Sequence, residues 1–181
     1  MRRLQEEYDL EVRWLAFPLH PETPEQGQTL EQLFAGRGLD LEAIRARLAA
    51  VAASEGLPWF RPGLTYNSRR AQELSKWAER QSRGEDYHQA VFQAYFAQGR
   101  NIAHLPVLED ILTTLGLEAQ TGLAALASGR WAPAVDQDWA LSRSLGISAV
   151  PTFRAGAHGV VGAQPYATLE QLVRTAGARR R

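Results

Sequence analysis

Through most of this chain apolar residues recur every three or four positions, and in only two short places do they alternate with polar ones. The first pattern covers one face of a helix and the second one face of a strand. Residues 1–9 read as the end of a helix, with Arg3, Leu4, Glu7 and Tyr8 at helical spacing and Asp9 at the exit. Leu10 to Leu19 (LEVRWLAFPL) alternates around Val12, Trp14, Ala16 and Pro18, and its β-branched and aromatic content predicts a strand. His20-Pro21-Glu22-Thr23-Pro24 ends it, because two prolines remove donors and fix the backbone. From Thr29 the signal is helical. LEQLF comes first, then LDLEAIRARLAAVAAS with Leu41, Ile44, Leu48 and Val51 in one stripe and Gly56 as a stop. Asn67-Ser68 precedes a helix holding Ala71, Leu74, Trp77 and Ala78, and Asp86 opens another with Val91, Phe92 and Tyr95 on its apolar side. Leu105 to Leu115, Gln120 to Ser128 and Ala134 to Leu145 follow as helices. Thr152 to Arg154 and Val160 to Gly162 are strand candidates around a turn at 155–159, and a final helix spans about Thr168 to Ala176.

The order is therefore helix, strand, helical block, strand, strand, helix, which reads as a small α/β unit interrupted by a helical insertion. At 181 residues with 45% hydrophobic and 22% charged, the chain can bury a sizeable core and is not a disordered segment. No apolar run approaches the roughly 20 residues that span a bilayer, and the amino-terminal MRRLQEEYDLEV has no apolar stretch behind its arginines, so a cytoplasmic protein is expected. Formal net charge is zero and the basic residues are dispersed among acids, which argues against a nucleic-acid partner. The terminal Arg179-Arg180-Arg181 reads as a solvated tail.

Candidate chemistry is sparse. There is no cysteine. His20, His88, His104 and His158 lie in separate elements without ligand spacing, so no metal site is expected. Asp136 and Asp138, two positions apart on a helix, read as solvated, and no glycine-rich phosphate loop or G-x-S-x-G elbow occurs. Asn67 reads either as a cap or as a side chain reaching toward a cleft. Trp59, Phe60 and Tyr66, beside Pro58 and Pro62, read either as groove lining or as satellite core.

Five stretches carry a resemblance: VRWLAFPLHPETP, YNSRRAQELSKWA, DYHQAVFQAYFAQGRNI, ALSRSLGISAVPTF and GAQPYATLEQLV. Together they resemble the DsbA family of thioredoxin-fold proteins. The match is best to the FrnE-like branch, which is related to glutathione-dependent 2-hydroxychromene-2-carboxylate isomerases and kappa-class glutathione transferases. The resemblance implies an α/β, thioredoxin-like (DsbA-like) fold with a large all-helical insertion, lacking the first strand. Residues 1–27 and 140–181 would form the thioredoxin-like domain, incomplete at its amino end, and 28–139 the helical insertion. It also implies a cis Val150–Pro151 bond, and a thiol- or substrate-binding segment at Ala149, Val150 and Pro151 with Asn67 nearby. The residue before the proline would present its backbone to a thiol-containing peptide or to glutathione.

Members of that branch place a strand and a CxxC or serine motif ahead of the sequence with which this chain opens. Thiol–disulfide exchange needs a thiolate, usually a cysteine at a helix amino terminus. The resemblance therefore implies an oxidoreductase family protein without the CxxC segment, with no catalytic residue in these 181 positions and no activity in dithiol exchange. Two alternatives stay open: a glutathione-dependent isomerase or transferase, which needs no protein cysteine, and a non-enzymatic module that binds a peptide or partner. No cofactor is implied beyond glutathione. Without the first strand the sheet would have a gap of roughly 9–10 Å between the strand at 10–19 and that after Pro151. Upstream residues, a strand donated by a second chain in a homodimer, or direct closure would fill it, in that order of expectation.

Overall fold

A computed structural model describes residues 1–60 and 63–181, so Pro62 lies outside the described residues. The chain divides into two compact units, Met1–Leu19 with Asp136–Arg181, and His20–Val135.

In the first unit, α1 (Arg2–Glu7) leads into β1 (Tyr8–Asp9). In the second, β2 (Gln28–Thr29) and β3 (Leu64–Thr65) form a short antiparallel pair, Gln28 opposite Thr65 and Thr29 opposite Leu64. Thr29 also starts α2 (Leu30–Leu33) with a capping box, its hydroxyl accepting from the Gln32 N–H while the Gln32 side chain accepts from the Thr29 N–H. Asp40 caps α3 (Leu41–Ser54) by accepting from the Ala43 N–H. The helix forms where the stripe predicts it, yet Ile44, Leu48 and Val51 remain exposed and Ala52 is its buried residue.

The core of this unit is built by α4 (Arg69–Arg80), α5 (Gly84–Phe92), α6 (Leu105–Thr114) and α7 (Ala119–Ala127). Ala71, Leu74, Trp77 and Ala78 of α4 meet Tyr87 and Val91 of α5 and Leu108, Ile111 and Leu112 of α6. A Cβ at Gly122 would stand 2.7 Å from Leu112 Cδ1 and 3.2 Å from the Trp77 ring, so any side chain there would force Leu112 to shift for α7 to pack this closely. A π-helical turn, Gln93–Ala97, continues α5. It turns Ala94 inward but leaves Phe92 and Phe96 exposed, so Phe92 is not part of the buried side that its spacing suggested.

The boundary at Val135 and Asp136 falls within α8 (Ala132–Ser144). The first unit continues with the hairpin β4 (Thr152–Ala155) and β5 (His158–Val161), then α9 (Tyr166–Thr175) against both strands and β6 (Arg179–Arg180). The hairpin loop is two residues rather than the five expected. Gly156 takes φ +58°, the left-handed conformation that such a tight turn requires at its first position.

The terminal arginines are not a frayed tail: β6 pairs antiparallel with β1, and the Arg181 N–H donates to the Glu7 carbonyl at 2.9 Å. Glu7 accepts from Arg3 Nε at 2.8 Å and from the Tyr166 hydroxyl at 2.7 Å, with Arg180 at 3.7 Å. Arg3, then Tyr166, hold the Glu7 carboxyl below the usual 4.5. Desolvation and the bond to Glu7 push the Tyr166 hydroxyl up to about 12.

The strand expected at Leu10–Leu19 is not a strand. A strand exists through its ladder, and nothing among the described residues pairs with this segment. Leu10, Val12 and Trp14 are covered while Glu11 and Arg13 are exposed, so the alternation survives in the side chains. The backbone is tied to a side chain instead: the Ala16 N–H donates to Asp138 Oδ2 at 2.9 Å. Asp138, read from sequence as solvated, is 3% exposed, with Arg13 at 3.6 Å. Direct pairing of 12–17 with 152–154 does not form, and among the described residues the ladder neighbour of β4 is β5 alone.

Candidate functional site

The segment ahead of β4 is set by the end of α8. The Gly146 N–H donates to the Arg143 carbonyl at 3.0 Å, and the Ile147 N–H reaches back to the Ser142 carbonyl at 3.0 Å. Gly146 sits at φ +68°, so this is a Schellman stop, a conformation that glycine adopts without a Cβ penalty. The chain then runs through Ser148, Ala149 and Val150 to Pro151, and the Val150–Pro151 peptide is cis. Thr152 Oγ1 donates to the Ala149 carbonyl at 2.6 Å and closes the turn. Val150, immediately before the proline, is 43% exposed.

The hairpin register decides where the backbone of β4 points. The Gly162 N–H donates to the Pro151 carbonyl at 2.7 Å, so positions 151, 153 and 155 face β5. In an antiparallel ladder the intervening residues turn their N–H and C=O the other way. Thr152 and Arg154 therefore present their backbone groups on the outer edge of β4, where no ladder forms among the described residues. Their side chains share one face with Gly159 and Val161, and together with Leu145 and Ile147 they line an open groove of about 290 Å³. On the opposite face, Val160 and His158 border a second hollow of about 490 Å³ with Thr168, Gln171 and Leu172 of α9.

Three of the four site residues expected from sequence, Ala149, Val150 and Pro151, are thus consecutive in this unit. Asn67 belongs to the other unit, where its polar atoms are engaged. Its amide donates to the carbonyls of Pro21 at 3.0 Å and Thr23 at 2.8 Å, and its Oδ1 accepts from the Arg69 N–H at 2.9 Å. Of the aromatic trio, Tyr66 packs edge-on against Tyr95 beside the helical core, Trp59 stacks on Phe96, and Phe60 stays exposed. Among the described residues no group of three or more histidine or carboxylate side chains could hold a metal ion. The chain has one sulfur atom, in Met1, and no thiol.

The DSBA-like thioredoxin domain model matches residues 1–174, a span that includes this connection from helix to proline turn to hairpin. The chain belongs to the DsbA-like family. Its fold is the DsbA-like thioredoxin fold, with nine α-helices and short strands among the described residues. One solved relative is a probable DsbA oxidoreductase from Streptomyces coelicolor, 29% identical, with a TM-score of 0.84 over 92% of this chain and 75% of that one. A 2-hydroxychromene-2-carboxylate isomerase superposes with a TM-score of 0.77 at 19% identity, over 96% and 85% of the two chains. The cytosolic disulfide reductase DsbM of Pseudomonas aeruginosa with GSH gives 0.54 at 21% identity, over 76% and 71%. No curated protein matches this DsbA-like sequence. The structural neighbours thus include a probable oxidoreductase, a disulfide reductase and an isomerase.

Sequence reasoning alone does not single out Arg154, Thr152 or Asp138. For Arg154 a signal exists: between Asp138 and Glu170 the chain has no carboxylate side chain, so an arginine on β4 has no acid near it in sequence. For Asp138 there is none, since its partner is the backbone of a segment far away along the chain.

Proposed function

We propose that this chain is a FrnE-type member of the DsbA-like family that receives an extended thiol-bearing ligand, a peptide or glutathione, along Ala149, Val150 and Pro151. The observation that carries the reading is the turn itself: Val150 stands exposed directly before the cis proline, and its backbone can meet an extended ligand as an added strand would. The sulfur nucleophile comes from outside these residues, because the 181 positions hold no cysteine. Dithiol exchange in which protein sulfurs cycle is therefore not an activity of this stretch. With its amide committed to the 21–23 loop, Asn67 contributes by holding that loop. A cytoplasmic location goes with the proposal by analogy with the cytosolic reductase.

A second reading, a glutathione-dependent isomerase or transferase, is favoured by the same absence of cysteine, since there the thiol belongs to glutathione. Calorimetric titration separates the two. Glutathione and a blocked, extended cysteine peptide are each titrated into the protein. Saturable binding of the peptide supports the first reading, whereas tight binding of glutathione alone supports the second. Val150→Pro removes the N–H offered to the ligand before the cis proline, so it should abolish binding, whereas Val150→Ala, which keeps that N–H, should retain it. Absence of saturable binding of either ligand up to millimolar concentration refutes both.

A further inference from the structure

The side of β5 turned away from β4 pairs with no strand among the described residues. Because 151, 153 and 155 face 162, 160 and 158, the residues between, Gly159 and Val161, point their N–H and C=O to that side. The Val161 carbonyl already takes a donor there, Gln164 Nε2 at 2.6 Å. Sheet edges are ordinarily protected by a charge, a proline or a bulge. β5 has none of these, and Val161 stands 57% exposed on it. From Ala155 to Leu169 there is no Asp, Glu, Lys or Arg, in a chain of which 22% is charged.

α9 extends this uncharged surface. Its Tyr166 donates to Glu7 and its Glu170 accepts from Tyr8, so one side of the helix is taken up by α1 and β1. Thr168, Gln171 and Thr175 lie on another side, where with His158 and Val160 they border the hollow of about 490 Å³. A two-fold axis sets a patch against its own copy, so any charge on the patch would meet the same charge. A surface without charge escapes that penalty, and β5 offers a register in which it meets itself. With Val160 on the axis, Gly159 of each copy lies opposite Val161 of the other, so the exposed valine meets a residue without a side chain. Each Gly159 N–H then reaches a Val161 carbonyl, replacing the Gln164 amide, and each Val161 N–H reaches a Gly159 carbonyl. Val160 stands against its own copy, with Cβ atoms about 4.5–5.5 Å apart, a favourable β-branched pair. Since α9 packs across both β4 and β5, its axis lies about one strand spacing, roughly 4.8 Å, from the two-fold. The two helices would then be roughly 9.6 Å apart, within the 8–10 Å at which helices pack. We infer that β5 pairs antiparallel with β5 of a second copy of this chain, joining two hairpins into one four-stranded sheet with the Thr168, Gln171 and Thr175 sides of α9 in contact. The inference goes beyond the ligand proposed for the Val150 turn and does not depend on it.

One strand and one helix from each copy make an interface at the small end of the specific range, so sedimentation velocity is run on the full chain from about 1 μM to about 1 mM. A monomer–dimer equilibrium is expected within that range. Val160→Lys and Val160→Glu each set like charges directly opposite and should move association to at least about tenfold higher concentration. An equimolar mixture of the two variants should restore the dimer, because lysine then faces glutamate. Thermal melts check that each variant folds. Gly159→Pro removes an outward N–H and no β4–β5 bond, so it should weaken the dimer as well, and it decides the matter if a charged variant does not fold. The inference is overturned by a parent chain that stays monomeric to about 1 mM, or by a dimer that folded Val160→Lys or Gly159→Pro leaves unchanged. A mixture of folded variants no more associated than its components overturns it equally.

Discussion

Asp138 offers the sharpest test of how the proline turn is held. Its carboxylate is 3% exposed and accepts from the Ala16 N–H at 2.9 Å, with Arg13 at 3.6 Å, so one side chain on α8 fastens the segment 10–19 to the helix whose end sets Ala149 to Pro151. In Asp138→Ala the Ala16 N–H loses this acceptor in a covered setting. A hydrogen bond to a charged group contributes about 1.5–3 kcal/mol, and a donor left unsatisfied costs about 1–3 kcal/mol. Destabilisation of about 2 kcal/mol is expected, which for a chain of this size lowers Tm by about 4–8 °C. Asp138→Asn keeps an acceptor at the same place and loses only the charge, so about half that loss is expected. Arg13→Ala removes an exposed partner of the kind that contributes about 0–1 kcal/mol, so its effect should be the smallest of the three. Differential scanning calorimetry on the three variants reads the series directly. An Arg13→Ala loss equal to that of Asp138→Ala would show the ion pair rather than the backbone bond to be the fastening. Asp138→Ala within 0.5 kcal/mol of the parent would refute the reasoning altogether.

Tyr87 is 1% exposed in the helical core and its hydroxyl has no hydrogen-bond partner among the described residues, so Tyr87→Phe should leave stability unchanged or raise it by about 1 kcal/mol; a loss of that size in thermal melts would count against this. Glu7 is held below its ordinary value by Arg3 and then Tyr166. A depressed folded-state pKa gives stability that is present above the unfolded value of 4.5 and lost as pH falls through the folded one. Tm should therefore drop on acidification below about pH 5 and drop less steeply in Glu7→Gln, and parallel profiles for the two proteins would contradict the assignment. Insulin reduction and dithiol oxidation should stay at background for these 181 residues, and turnover like that of a cysteine-bearing relative would contradict the reading.

What could be read from the sequence follows from the range of the interactions that specify each element. The helices α3 to α9 were legible because a helix closes its own hydrogen bonds, so a stripe such as Ala71, Leu74, Trp77 and Ala78 with a stop signal behind it suffices. The hairpin β4–β5 was legible for the same local reason, although the two-residue loop at Gly156 was shorter than the cluster of small residues suggested. The segment 10–19 has the composition of a strand, but a strand is a relation between two segments, and composition does not show whether a partner is present. The exposed stripe of α3 makes the same point for helices: Ile44, Leu48 and Val51 specify a helix and do not say what covers it.

The candidate site divides along the same line. Ala149, Val150 and Pro151 stand out because their peculiarity is covalent, a proline inside an apolar run, and it is written in adjacent letters. Arg154 becomes informative only once the register is known. Since the Gly162 N–H meets the Pro151 carbonyl, the parity of the ladder sends the backbone of 152 and 154 outward, and their side chains fall on the groove face. Had the hairpin closed one residue out of step, Phe153 and Ala155 would hold the outer edge, and the groove would carry a phenyl ring in place of a guanidinium. Which backbone groups of β4 turn outward, and which side chains fall on the groove face, therefore both rest on a two-residue turn at Gly156.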